Sequence, residues 1–232
     1  EQVQYTQHTE PEATNYVWYG STDWNPLDES SLLAWYKNKT GISLTGSNVN
    51  AWDDSSTNNF NLVQATLSEQ PAYASDTGIL SFDTTNSENL QTSGTQISIT
   101  GEFTLGIRCK PNTFNGVLIA DNTTLQEFLK YKESNVIRIK FDGVAKDITL
   151  NTGTFGDDYL VITRNAANLI TLYQNGIEQT DTVTIAGTFD IDSLGVRAFD
   201  ASPYDGTITE VQIYTAESDL ITANINTYLS NL

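Results

Sequence analysis

The stretch DGTITEVQIY, residues 205–214, opens on a turn pair and continues as a two-residue alternation. Asp205-Gly206 is a turn dipeptide. Beyond it, Thr209, Val211 and Ile213 share one face, and Glu210, Gln212 and Tyr214 share the other. This pattern predicts a β-strand with Val211 and Ile213 turned toward a core. Glu210 is then expected on the solvent face, as a surface carboxylate and not a catalytic acid.

The same alternation recurs upstream. QISIT, EFTLGIRCK, GVLIAD, NVIRIKF, KDITLN, YLVITRN, LITLYQN, TVTIA and SLGVRAF are short runs rich in Val, Ile, Thr, Tyr and Phe, separated by Gly, Asn, Asp and Ser clusters. Asp142-Gly143 and Asn175-Gly176 are hairpin turn pairs. NAAN, 165–168, has the length of a hairpin loop. Many short strands at this spacing predict an all-β, two-sheet antiparallel sandwich. Two segments carry helical signals. TLQEFLKYK, 124–132, fits a helix or a strand, since Leu125, Phe128 and Leu129 suit both. The closing segment 216–232 reads as a helix, with Ser218 as its cap and Leu220, Ile221, Ile225, Tyr228 and Leu229 as its apolar stripe.

Residues 1–30 show neither period but hold three Tyr, two Trp and two Pro, and they predict an N-terminal arm ahead of a sandwich at 31–232. Trp18, Tyr19 and Trp24 are its candidate anchors on a neighbouring subunit, because aromatics dominate interface energetics. The alternative is an arm that folds back on its own sandwich. The chain starts at Glu1 and contains no Met, so its start reads as processed or trimmed, and it lacks a signal-peptide pattern.

With 29 acidic and 11 basic residues, the 232-residue chain has a net charge of −18. That field repels phosphate backbones and anionic lipid, so no nucleic-acid partner is expected. No apolar run is long enough to span a bilayer, so no membrane insertion is expected. The basic residues look scattered. Cys109 is the only cysteine and reads as a buried, inert thiol; His8 is the only histidine, which excludes His/Cys zinc sites and a Ser-His-Asp triad. Asp190 and Asp192 would lie about 6.6 Å apart on one strand face, a separation that suits a glycosidase pair. A solvated loop end is the simpler reading, and no enzymatic activity is expected. DTTNSEN, 83–89, and FDASPYD, 199–205, are dense in the oxygen donors calcium prefers. Asp83, Asn86, Asp200 and Asp205 are the candidate ligands.

GEFTLGIRCKP (101–111), YLVITRNAANLITLYQNGIEQ (159–179) and LGVRAFDASPYDGTITEVQIYTAESD (194–219) together resemble the laminin-G-like branch of the concanavalin A-like jelly rolls. In the first half, Trp35, Trp52-Asp53, QPAY and Phe82-Asp83 resemble a variant found in bacteriophage and marine viral structural proteins, with Thr84 where Gly is usual. The resemblance implies a jelly-roll sandwich and, as role, a non-catalytic virion subunit: a head-decoration or tail-associated protein at the virion surface, bound to neighbouring subunits or to itself. The alternative it implies is a carbohydrate-binding module of a phage fibre or a secreted bacterial protein. Its candidate glycan contacts are Tyr204, Asp205 and Asn175, on loops the family places near sheet ends.

Overall fold

The structure, a computed structural model, describes residues 23–151 and 156–232. His8, Trp18 and Tyr19 lie outside the described residues. Twenty strands and one α-helix follow one another among the described residues. They begin with β1 (Leu32–Tyr36), β2 (Ile42–Thr45), β3 (Asn48–Trp52), β4 (Leu62–Val63), β5 (Ala72–Ala74), β6 (Ile79–Phe82) and β7 (Leu90–Thr92). The middle of the chain forms β8 (Ile97–Ile99), β9 (Phe103–Pro111), β10 (Val117–Ala120), β11 (Phe128–Glu133), β12 (Val136–Phe141), β13 (Val144–Thr149), β14 (Asp158–Arg164) and β15 (Leu169–Gln174). It closes with β16 (Ile177–Glu178), β17 (Val183–Thr184), β18 (Phe189–Ile191), β19 (Ser193–Leu194), β20 (Gly206–Tyr214) and α1 (Asp219–Ser230). The segment 124–132 resolves as strand: its second half is β11.

Antiparallel pairing arranges these strands in two layers. In the first, β20 pairs with β9, β9 with β14 and β14 with β15, while β1 and β6 share the other edge of β20. The second runs β2-β3-β4-β7-β19-β10-β11-β12-β13. β5 links the layers by pairing with both β3 and β6, and β8 with β18 forms a separate ribbon. The fold is an all-β sandwich closed by a short C-terminal helix. No helix among the described residues is long and apolar enough to cross a membrane.

Alternation builds the core between the layers. Val211 lies opposite Ile107, and Ile213 opposite Leu105, with Leu160 and Ile162 on the next strand. All six belong to one buried cluster. Each such side chain contributes about 1.5–3 kcal/mol relative to exposure. A bulge between Ile208 and Glu210 shifts the phase of β20, which is how Ile208 joins the same cluster. Both hairpin turn pairs adopt the expected left-handed backbone, with φ of 44° and 80° at Asp142-Gly143 and 51° and 77° at Asn175-Gly176. Cys109 is buried in the core, and burial pushes its thiol well up, so it is inert as expected.

Arg164 is fully buried. Its guanidinium donates to the carbonyls of Gly101 (2.7 Å), Gly187 (2.7 Å) and Ile99 (3.1 Å) and stacks 5.2 Å from the rings of both Phe103 and Phe141. One planar fork thereby ties β8, β9 and the loop before β18 to the core.

The outer face of the first layer is not wet. Helix α1 lies on it, with Ile221, Ile225 and Leu229 packed against Val161 and Tyr214. The Ser218 side chain accepts the Ile221 N–H as the expected cap, while Leu220 points to solvent. Arg108 donates to the Leu229 carbonyl at 2.9 Å, closing the helix C-terminus, where a cation is favoured. Gly106 makes the close approach possible: a Cβ there would stand 2.5 Å from Ile225 Cγ2.

This layer corrects the expectation for Glu210. It is 0% exposed. The carboxylate takes the Trp35 indole N–H at 2.7 Å, the Asn38 N–H at 2.9 Å and the Gln212 amide at 2.8 Å, and the Tyr228 hydroxyl is hydrogen-bonded to it as well. Alternation placed Glu210 on the outer face correctly. What it missed is that a helix covers that face.

Trp24 lies at the edge of the same face. Its ring sits 6.3 Å from Tyr214 and 6.2 Å from Tyr228, and its indole donates to Glu29 at 2.9 Å. At the end of the arm, Trp24 thus packs on the edge of its own helix-covered face and stays half-buried.

Candidate functional site

The sheet-end loops named by the sequence do meet. Phe82 pairs with Gly206, which places Asp83 and Asp205 just beyond a directly paired position. Phe82 and Tyr204 rings lie 6.0 Å apart, and Gly195, at φ 88°, leaves no room for a Cβ between Phe82 and the Glu88 carbonyl. Loops 83–89 and 198–205 are thus locked together around Tyr204.

Tyr204 itself is a core residue. It is 1% exposed, with its hydroxyl directed at the Thr207 carbonyl, so its ring offers no surface to a sugar. The Asn175 amide is used within its hairpin: Oδ1 accepts from Tyr159 N–H at 3.0 Å, and Nδ2 donates to Asp158 at 2.8 Å. Asp205 accepts from the Asn112 side chain at 2.9 Å and joins the loop after β9 to the start of β20. Asp83 accepts the Thr85 N–H at 2.6 Å, and its bonds from Thr85 hold its carboxyl below the usual range. Asn86 and Asp200 are exposed at loop tips. Among the described residues, no three His, Cys, Asp or Glu side chains are grouped so as to hold a metal ion.

Of the two acids that suggested hydrolysis, Asp190 is not at a solvated loop end: it lies on β18, with Oδ1 buried and without a hydrogen-bond partner. Asp121 takes the Thr123 N–H and hydroxyl, both at 2.6 Å, and the Thr124 hydroxyl at 2.8 Å. Thr124 also bonds Glu127. Asp192 accepts the Asn122 N–H; burial pushes its carboxyl up to about 6, with the charges of Asp121 and Asp190 adding. The cavity beside Asp192 is lined mainly by Tyr36, Leu62, Ile97, Ile119 and Ile191 and measures about 10 Å³. A water is the most it could admit.

Two features were not read from the sequence. Phe199 is 84% exposed and sits at φ 62°, between Arg197 and the similarly left-handed Asp200 and Ser202. A bulky residue in this conformation is strained by about 1–2 kcal/mol. Strain of this kind clusters at ligand-binding positions.

The second feature is a cationic face, so the basic residues are not scattered. On the outer side of the second layer, Phe128 lies opposite Lys140, and Lys130 lies opposite Arg138, which in turn faces Asp147. Phe128, Val117 and Ala120 form a small apolar cluster there. Around that ring stand Lys130 Nζ at 5.3 Å, Lys140 Nζ at 5.8 Å and the Arg197 guanidinium at 5.2 Å. The loop holding Phe199 begins at Arg197, and the Val117 N–H bonds the Ser202 carbonyl at 2.9 Å. Lys130 donates to Asn115 at 3.2 Å, next to Phe114, whose ring is 40% exposed. The local signal was Phe128-x-Lys130-x-Lys132 followed by Arg138-x-Lys140, a two-residue period on both strands of one hairpin.

No protein-family model matches the chain, and no curated protein matches it. Solved structures do. The binding domain of Paraclostridial Mosquitocidal Protein 1 superposes with a TM-score of 0.60 at 16% identity, over 87% of this chain and 52% of that one. The botulinum neurotoxin serotype D ligand-binding domain, in complex with N-acetylneuraminic acid, gives 0.58 at 14% identity, over 85% of this chain and 50% of that one. Domain 4 of AbnA, a GH43 extracellular arabinanase from Geobacillus stearothermophilus in complex with arabinotriose, gives 0.57 at 16% identity, over 86% of this chain and 98% of that one. The chain thus spans about half of each toxin structure and nearly all of the arabinanase domain. At these identities the similarity establishes a shared β-sandwich fold.

Proposed function

We propose that this chain is a non-catalytic carbohydrate-binding module. The observation that carries the reading is Phe199, an exposed ring held in strained backbone on a loop pinned by the buried Tyr204 and by Gly195. A sugar's apolar face stacks on such a ring, while its hydroxyls meet the amides and carboxylates nearby. The similar structures add support, since two of the three were solved with a sugar or sialic acid bound. The sequence resemblance put a virion subunit first and glycan binding second; the structural similarities favour the second. A glycan-binding sandwich serves equally on a virus fibre or a secreted protein, so the reading does not depend on which carries it.

A glycan array probed with the purified protein, with and without calcium, tests this. Binding is expected to at least one glycan class, with the glycan recovered uncleaved. Phe199→Ala is expected to weaken that binding about tenfold while leaving the melting temperature unchanged. An array with no binding in either condition would remove the reading.

A further inference from the structure

Acids outnumber bases 29 to 11, yet among the described residues only Arg108, Lys132 and Arg138 form ion pairs. Three of the unpaired cations are set apart by surrounding one ring. Lys130, Lys140 and Arg197 form no ion pair among the described residues, whereas Lys132 and Arg138 both pair with Asp147. Lys130 and Lys140 donate only to neutral oxygens, the Asn115 side chain and the Leu125 carbonyl. Arg197 Nε is buried with no acceptor. Lys130 also stands directly opposite Arg138, and like charges opposed across strands are destabilising. Burial and then the charges of Arg197 and Arg138 push its ammonium below the usual range. The arrangement crowds positive charge that Asp147, beside Arg138, offsets only in part.

We propose that Lys130, Lys140 and Arg197 form the subsite for an anionic group, carboxylate or sulfate, of an acidic sugar. This rests on the glycan-binding reading and extends it from the Phe199 loop onto the adjoining sheet face. Arg197 starts that loop, so one oligosaccharide can stack on Phe199 and place its acid group against the cations. Guanidinium and ammonium donors bind such oxygens through charge-assisted hydrogen bonds. A long phosphodiester fits poorly. Screening acts over about 8 Å at physiological salt, so an extended polyanion would meet the acidic remainder of a −18 surface. A single anionic group need not.

The test is titration of the intact chain with matched pairs: 3′-sialyllactose against lactose, tri-galacturonate against galactotriose, and a chondroitin sulfate tetrasaccharide against its desulfated form. The first two arms read carboxylate and the third sulfate. In at least one arm the acidic member is expected to bind about tenfold or more tightly than its neutral match. Lys130→Gln and Arg197→Gln are each expected to abolish that preference without lowering the melting temperature, because they relieve like-charge crowding. If either variant fails to fold, Lys140→Gln replaces it. Equal binding of acidic and neutral members would overturn the subsite and leave glycan binding intact, whereas no binding in any arm would take both readings down. A preference that survives the substitutions would overturn its placement. So would equally tight binding of a mixed-sequence oligonucleotide.

Discussion

Glu210 and Trp35 meet through a 2.7 Å hydrogen bond from the indole to the carboxylate, beneath the C-terminal helix. The bond joins β1 to β20, and the network continues through Gln212 to the Tyr214 hydroxyl. Burial pushes the Glu210 carboxyl above its ordinary range, against the pull of four donors. Those donors converge on two oxygens, an arrangement that suits an acceptor and not an amide.

Glu210→Gln therefore carries a cost that a surface residue would not show. The new NH₂ would face either the Asn38 N–H or the Trp35 indole, leaving buried donors unpaired. Loss of about 1–3 kcal/mol of unfolding free energy is expected, measured by chemical denaturation. A change below about 0.5 kcal/mol, the surface norm, would mean that the helix does not seal this face.

Arg164→Lys tests the buried fork. An ammonium cannot serve three carbonyls in a plane or stack between Phe103 and Phe141 as a guanidinium does. Destabilisation of about 2–4 kcal/mol is expected. Near-wild-type stability would show that water replaces the lost contacts at little cost.

The layered sandwich was legible where local chemistry suffices. Asn175-Gly176 and Asp142-Gly143 need φ above zero at both positions and supply residues that tolerate it. The Ser218 cap and the stripe Ile221, Ile225 and Leu229 mark α1 in the same way. Glu210 was misread because a two-residue period assigns faces without saying what covers them. Gly106, small in the middle of a long strand, and Trp35 were the available hints of a second packed surface. Tyr204 and Asp205 were read on the sheet-end loop that also carries Phe199, but Tyr204 turns inward where Phe199 turns out. The cationic face depends on strand pairing and on Arg197, far along the chain from Lys130, so no local window contains it.

Asp192 offers a pH signature. Its carboxyl is raised to about 6 in the fold, against about 3.9 in an unfolded chain. Between those values the folded state keeps a proton that the unfolded state releases, so this group's contribution to stability falls as pH rises from about 4 to about 6 and is constant above. Asp192→Asn should gain on the wild type across that window. Screening at this half-exposed site holds the gain to about 1 kcal/mol. Unfolding titrations of both proteins at pH 4, 6 and 7.5 read the difference. A gap that stays flat with pH would contradict the assignment.

The central claim is that the Phe199 loop and the Lys130–Lys140–Arg197 face hold a glycan. The most direct measurement is a backbone amide NMR titration of the isotope-labelled chain with the acidic oligosaccharides named above. The account predicts saturable shifts at Asn115, Phe128, Lys130, Lys140 and residues 197–200, with the amides of α1 unmoved. Saturable shifts confined to α1, to the Asn175 hairpin or to loop 54–60 would contradict it.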